Sequence, residues 1–301
     1  MKSEYNDIAY KSCRLCAREC GVDRTAGQIG FCRSTSLARI CRAALHEWEE
    51  PIISGTRGSG TIFFSGCSLG CVYCQNKEIS RAAVGRAVDD SMLADEMLRL
   101  ESIGAHNVNF VTPTHFSPTV RSAVKLARDR GLSIPIVYNT SSFDSTDALA
   151  SLEGTVDIYL ADYKYHRSKS AKALSFAECY PEVARAAIRE MVRQTGAPVI
   201  EDGIMRSGVI VRILLLPSHL AEAKLAVGYL YKEYGDNIII SLMSQYTPMP
   251  GVGAPLDRPV TRAEYDELVD YAVRRGVRCA FVQEGSAASE SFIPDFDTSE
   301  N

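Results

Sequence analysis

The chain has 301 residues, enough for one large domain or two small ones. Hydrophobic residues make up 46% and charged residues 23%, ordinary globular usage that excludes an intrinsically disordered chain. A formal net charge of -4 argues against non-specific nucleic-acid binding, and no apolar run approaches the ~18 residues that a membrane span needs.

The start, Met1-Lys2-Ser3-Glu4-Tyr5-Asn6-Asp7, lacks the apolar stretch of a signal peptide, so a cytoplasmic location is expected. Ten cysteines then stand out, because that compartment disfavours disulfides and clustered cysteines there suggest metal. Cys13-x2-Cys16-x3-Cys20-x11-Cys32 supplies four ligands locally, with Cys41 a rival for one place. Zinc, a rubredoxin-like iron or an auxiliary iron-sulfur cluster would each fit, as would reduced cysteines without metal. The small residues between 51 and 60 read as a linker.

From Thr61 the pattern becomes a strand-helix alternation. Strands are expected at 61–64, 107–111, 134–138, 156–161, 209–216 and 237–242. Helices are expected from about 91, at 118–130 with Ser117 as N-cap and Gly131 as stop, at 181–194 and at 220–233. Crossovers of that length predict a parallel sheet, either doubly wound or curled into a partial barrel. Ligands would then sit at the C-terminal strand ends. A last helix near 261–275 and the stretch Cys279 to Gln283 would cover an open sheet edge; Cys179 and Cys279 read as buried thiols.

Cys67-Ser-Leu-Gly-Cys71-Val-Tyr-Cys74 follows the first of these strands directly. Three thiols are one short of a closed zinc site or a fully ligated cluster, so a four-iron cluster here would keep one iron open. A zinc site completed by a remote residue and unliganded buried thiols are the alternatives. The Cys-x3-Cys-x2-Cys spacing, with an aromatic before its last cysteine, resembles the radical S-adenosylmethionine enzymes. Cys74-Gln75-Asn76 is similar to their glycyl-radical-activating branch, typified by pyruvate formate-lyase activating enzyme.

That resemblance implies an α/β fold, a partial (β/α)6 TIM-like barrel over 57–250. A small Cys-rich segment would precede it at 1–56, and an extension at 251–301 would pack on it. It implies a [4Fe-4S] cluster on Cys67, Cys71 and Cys74 that chelates S-adenosylmethionine. One-electron reduction then yields a 5'-deoxyadenosyl radical that abstracts hydrogen. Implied cofactor contacts are Tyr73 against the adenine, Thr112 and Thr114 where the family carries Gly-Gly-Glu, Asn139, the Asp162-x-Lys164 pair, and Gln245. Implied partners are a one-electron donor such as flavodoxin or ferredoxin and a glycyl-radical enzyme; a small molecule or peptide is the other substrate class, and a zinc-stabilised binding module the reading from another class. Cys-x-Leu-Cys-Ala-Arg-x-Cys-Gly-Val, residues 241–248 and Ile293-Pro294-Asp295-Phe296-Asp297 also resemble a poorly characterised group of relatives of the activating enzyme.

Overall fold

The computed structural model describes residues 4–282. Gln283 and the 293–297 motif lie outside the described residues. Ten strands form the sheets: β1 (Ala38–His46), β2 (Ser59–Phe64), β3 (Arg86–Val88), β4 (Val108–Val111), β5 (Ile136–Thr140), β6 (Ile158–Asp162), β7 (Val199–Glu201), β8 (Ile204–Leu214), β9 (Ile239–Met243) and β10 (Ala280–Val282). Their spatial order is β10-β9-β8-β6-β5-β4-β2-β1-β3, with β7 paired to β8.

Six strands, β2, β4, β5, β6, β8 and β9, pair in parallel and lie side by side in chain order. Helices Asp90–Ser102, Ser117–Asp129, Tyr180–Thr195 and Leu220–Tyr234 fall in the crossovers. Phe63, Val111, Asn139, Arg212 and Met243, from five of these strands, line one cavity. The sheet therefore curls round it as an open, partial barrel, in the expected α/β class.

Its inner face is layered. At the bottom Ile53 packs with Val137, Ile158, Leu160 and Ile210 in an apolar cluster, and its carbonyl accepts from the buried Asn107 amide at 2.8 Å. Ile53 comes from the short Pro51–Ser54 helix, so the expected linker is a buried plug instead. Gly60 is small because Asn107 O would lie 2.8 Å from a Cβ there, not because the chain must flex.

The sheet is also not wholly parallel. β1 runs antiparallel to β2, with β3 antiparallel beyond it, so the stretch 1–56 contributes a strand to the same sheet. At the other edge β10 adds in parallel to β9 and becomes the edge strand among the described residues. Strand β5 runs two residues, and β6 one residue, further than the expected apolar runs, and both end in buried or half-buried polar residues. Ser117 is not a cap: a 3-10 turn, Thr114–Phe116, leads straight into the helix, and Ser117 Oγ has no hydrogen-bond partner among the described residues. Cys179 and Cys279, expected inside, are exposed, because they sit just before a helix and a strand rather than within them.

Arg24 docks the N-terminal segment. Fully buried, it donates to the carbonyls of His115 (2.5 Å), Thr35 (2.7 Å) and Ser34 (3.1 Å), and to Cys13 Sγ (3.6 Å). Its guanidinium also lies over the Tyr10 and Phe116 rings. Tyr10 and Thr119 share a hydroxyl hydrogen bond of 2.8 Å, and Cys16 bridges to Asp144.

Candidate metal centre and cofactor pocket

Cys67, Cys71 and Cys74 lie on the irregular loop after β2 and all three line the cavity at the C-terminal ends of the parallel strands. Each sulfur accepts a hydrogen bond: Cys67 from Leu69 N (3.4 Å), Cys71 from Ser175 Oγ (3.1 Å) and Cys74 from Ser80 Oγ (3.5 Å). Burial first, and then the neighbouring thiols, push the Cys67 thiol up to about 12; burial, with Cys71, also raises Cys74. Protons therefore stay on these two sulfurs near neutral pH unless a metal replaces them, since a cation removes the cost of a buried thiolate. Three soft donors, each with a hydrogen bond already in place, fit an iron-sulfur cluster. Among the described residues no three His, Cys, Asp or Glu side chains gather on one ion. A cuboidal cluster does not ask for that, because each cysteine binds a different iron.

The opposite wall is polar. Lys164 Nζ lies 2.7 Å from Asp162 Oδ2, and Arg212 Nε donates to Asp162 Oδ1 at 2.8 Å. Arg212 also reaches Asn139 Oδ1 (2.6 Å) and Glu49 Oε2 (3.3 Å). Glu49 Oε1 accepts from the amides of Asn109 (3.0 Å) and Asn139 (3.3 Å). Burial pushes Asp162 up, but Arg212 and Lys164 outweigh it and hold the carboxyl below the usual range. Lys164 is likewise raised: burial opposes its charge, and Asp162 prevails. The Asp-x-Lys pair is thus ionised, and Lys164 faces the same cavity as the cysteines.

Of the implied cofactor contacts, Tyr73, Thr112, Asn139, Asp162, Lys164 and Gln245 line this cavity. Thr114 does not; its hydroxyl lies 3.2 Å from Thr140 Oγ1, beside the buried Asp144. Tyr73 is buried, accepts from Tyr165 OH at 2.8 Å and sets its ring edge-on to Tyr246. Thr112 holds φ +59°, a left-handed conformation that costs a β-branched residue about 1–3 kcal/mol and that functional sites retain. His115 is buried beside Arg24, with Nε2 2.8 Å from Ser65 O; burial and Arg24 lower it to about 3, so it is neutral and outside the cavity.

Glu49 and its neighbour Glu50 are the functional-looking residues that the sequence reading missed. Two adjacent carboxylates directly before Pro51-Ile52-Ile53, at the edge of the stretch read as linker, were the available signal. Burial, with Glu49 adding and Arg212 opposing, pushes Glu50 up to about 7. The folded protein then holds a proton that the unfolded chain releases near pH 4.5, so stability falls as pH rises from about 4.5 to 7 and levels off above. Glu50→Gln should flatten that part of the profile and stabilise the protein at pH 8 by on the order of 1–3 kcal/mol. Denaturant melts at pH 5 and pH 8 check this; an unchanged pH slope would place the proton elsewhere.

At the N-terminus Cys13, Cys16 and Cys32 are buried and Cys20 is exposed. Burial first, then Cys32, Cys13 and Cys20, push Cys16 up to about 12, so the four are electrostatic neighbours. They are not gathered on one point: Cys20 Sγ fills the space beside Gly30, and Arg24 occupies Cys13.

The family described as "4Fe-4S single cluster domain" matches residues 54–180, which contain all three pocket cysteines. The cysteine loop thus belongs to a stretch matched by a cluster-binding domain. An uncharacterized protein of Methanocaldococcus jannaschii is 28% identical over 256 residues, covering 82% of this chain and 70% of its own. Among solved structures, native anSMEcpe with bound AdoMet (13% identity, TM-score 0.49) covers 72% of this chain and 61% of its own. Streptococcus suis SuiB bound to S-adenosylmethionine (13%, TM-score 0.49) covers 73% and 48%; methylornithine synthase (PylB) (12%, TM-score 0.47) covers 79% and 74%. The chain therefore spans less than two thirds of the first two of these structures. No helix among the described residues is long and apolar enough to cross a membrane.

Proposed function

We propose that the chain is a radical S-adenosylmethionine enzyme that abstracts hydrogen from its substrate. The observation that carries this is the facing of three thiols, at one end of a parallel sheet, by an ionised Asp162–Lys164–Arg212 network across a shared cavity. The match of residues 54–180 to a single-cluster domain supports it.

Cys67, Cys71 and Cys74 would hold three irons of a [4Fe-4S] cluster, leaving the fourth for S-adenosylmethionine. When bound, the pair supplies one-electron cleavage of the sulfonium and a carbon radical. The chain's own residues bind and orient. Lys164 offers a cation to the cofactor carboxylate, Asp162 holds that ammonium in place, and Tyr73 presents a ring edge within the cavity wall. The apolar floor around Ile53 closes the base of the sheet to water.

As substrate we propose a glycine Cα–H of a partner protein, on the likeness of Cys74-Gln75-Asn76 and Asp162-x-Lys164 to the activating enzymes, with a flavodoxin or ferredoxin as electron source. Anaerobic incubation with reductant and S-adenosylmethionine, with and without candidate partners, tests both levels. Release of 5'-deoxyadenosine supports the class, and a glycyl radical signal in the partner supports the substrate. On their spacing in the sequence we also propose a zinc or iron centre on Cys13, Cys16, Cys20 and Cys32; binding one ion would require these four to draw together from the positions described above, and metal analysis before reconstitution decides it.

Lys164→Met should weaken S-adenosylmethionine binding by about 1.5–3 kcal/mol, the worth of a charged hydrogen bond, with the cluster spectrum intact. Unchanged affinity together with lower thermal stability would make the Asp162–Lys164 pair purely structural.

A further inference from the structure

The loop that presents the pocket cysteines has no regular secondary structure over residues 65–76, so its backbone must find partners elsewhere. Ser68 and Leu69 are buried, and one side chain from outside the loop takes both their carbonyls. Arg18 Nε donates to Ser68 O at 3.1 Å and Nη2 to Leu69 O at 3.0 Å. The same guanidinium donates to Ser175 O (2.9 Å) and Phe176 O (2.5 Å), at the end of the Ser168–Ser175 helix. That helix end is itself part of the cysteine surroundings: the Ser175 hydroxyl bonds Cys71 Sγ, and Leu174 O accepts from Val72 N at 2.9 Å. The face of the guanidinium lies 3.8 Å from the centre of the Phe31 ring.

Arg18 stands between Cys16 and Cys20, so the loop is held from the N-terminal cysteine segment. A second contact points the same way. Gly66, directly before Cys67, lies at φ +84° against Cys32 O and Ser34 Oγ with no room for a Cβ.

We propose that Arg18 is the positioning residue of the Cys67–Cys71–Cys74 loop, through which the N-terminal segment sets the spacing of the three sulfurs. Its side chain acts on the carbonyls of the loop, fixing the backbone on which the three sulfurs stand. A planar fork with five donors can satisfy four carbonyls at once, and a lysine with three donors on a flexible stem cannot. Ligands held loosely by their surroundings bind metal poorly, which is why the clamp matters for a cluster. The inference rests on the cluster reading only for its iron measurements; the clamp itself is testable on metal-free protein.

The test compares Arg18→Gln and Arg18→Lys with Arg86→Gln, which breaks only an exposed pair with Glu96. In reduced, metal-free protein, maleimide labelling of each cysteine is timed by peptide mass spectrometry. Labelling at Cys67, Cys71 and Cys74 should be about tenfold faster in both Arg18 variants, as local opening becomes cheaper, while buried Cys41 keeps its wild-type rate. After reconstitution, iron release to a chelator should accelerate to a similar degree. If Arg18→Gln does not fold, Arg18→Lys carries the same comparison. Wild-type labelling at the triplet overturns the proposal, and so does an equal rise at Cys41, which would mean general loosening. Selective labelling in a protein whose wild type takes up no iron would refute the cluster and leave the clamp standing.

Discussion

Replacing Cys67, Cys71 and Cys74 together by alanine is expected to remove about four irons per reconstituted chain and to abolish S-adenosylmethionine cleavage. The physical ground is the state of the sulfurs. Burial keeps protons on Cys67 and Cys74, yet each of the three sulfurs already has a hydrogen-bond donor placed on it. Anaerobic reconstitution followed by iron and sulfide analysis, with 5'-deoxyadenosine measured by chromatography, checks both halves. Cleavage at the wild-type rate in the triple variant would sink the proposed chemistry. Loss of cleavage with full iron would instead move the cluster to the N-terminal cysteines.

Arg212→Met is expected to cost about 3–5 kcal/mol of stability. The guanidinium is the hub between Asp162, Glu49 and Asn139, and its removal leaves Asp162 with Lys164 and Glu49 with two neutral amides but no paired cation in a low-dielectric cleft. Adding Glu49→Gln to Arg212→Met should recover part of the loss, because it removes one orphaned charge. Denaturant unfolding of the two single variants and the double variant closes the cycle. A loss below about 1 kcal/mol, with no coupling to Glu49, would show that solvent in the cavity already screens these groups.

How far the sequence reached can be seen at particular residues. All six parallel strands were legible because apolar runs bounded by turn residues mark buried strands. Their ends were not. Asn139, Thr140 and Asp162 were placed just past the strand ends, yet they continue β5 and β6, because Arg212, Asp144 and Lys164 supply the partners that let polar groups stay inside. The cysteine triplet was legible from spacing alone, and six of the seven implied contacts line the cavity with it. β1 was hidden by its composition, since Ala38-Arg39-Ile40-Cys41-Arg42-Ala43-Ala44 alternates too weakly to stand out beside metal-like cysteines. Arg18 and Arg24 carry no local signal: a buried arginine looks like any surface arginine until the carbonyls it serves are known. Glycine misled at Gly60, where close packing rather than flexibility requires it.

The docking of the N-terminal segment has a consequence for the order of biosynthesis. Its anchors are made to partners far along the chain: Tyr10 to Thr119, Arg24 to His115, Cys16 to Asp144, and Arg18 to Ser175 and Phe176. These cysteines leave the ribosome well before any of those partners. They wait as a tethered, unfinished tail while the first strands pair. Contacts of such separation form late, because loop-closure entropy is spent before they return anything. Throughout that interval Cys13, Cys16, Cys20, Cys32, Cys67, Cys71 and Cys74 meet solvent and its metals without the fold's protection, and Arg18 has nothing yet to hold. Any metal that enters before residue 176 is synthesised meets a ligand set still free to choose its partners.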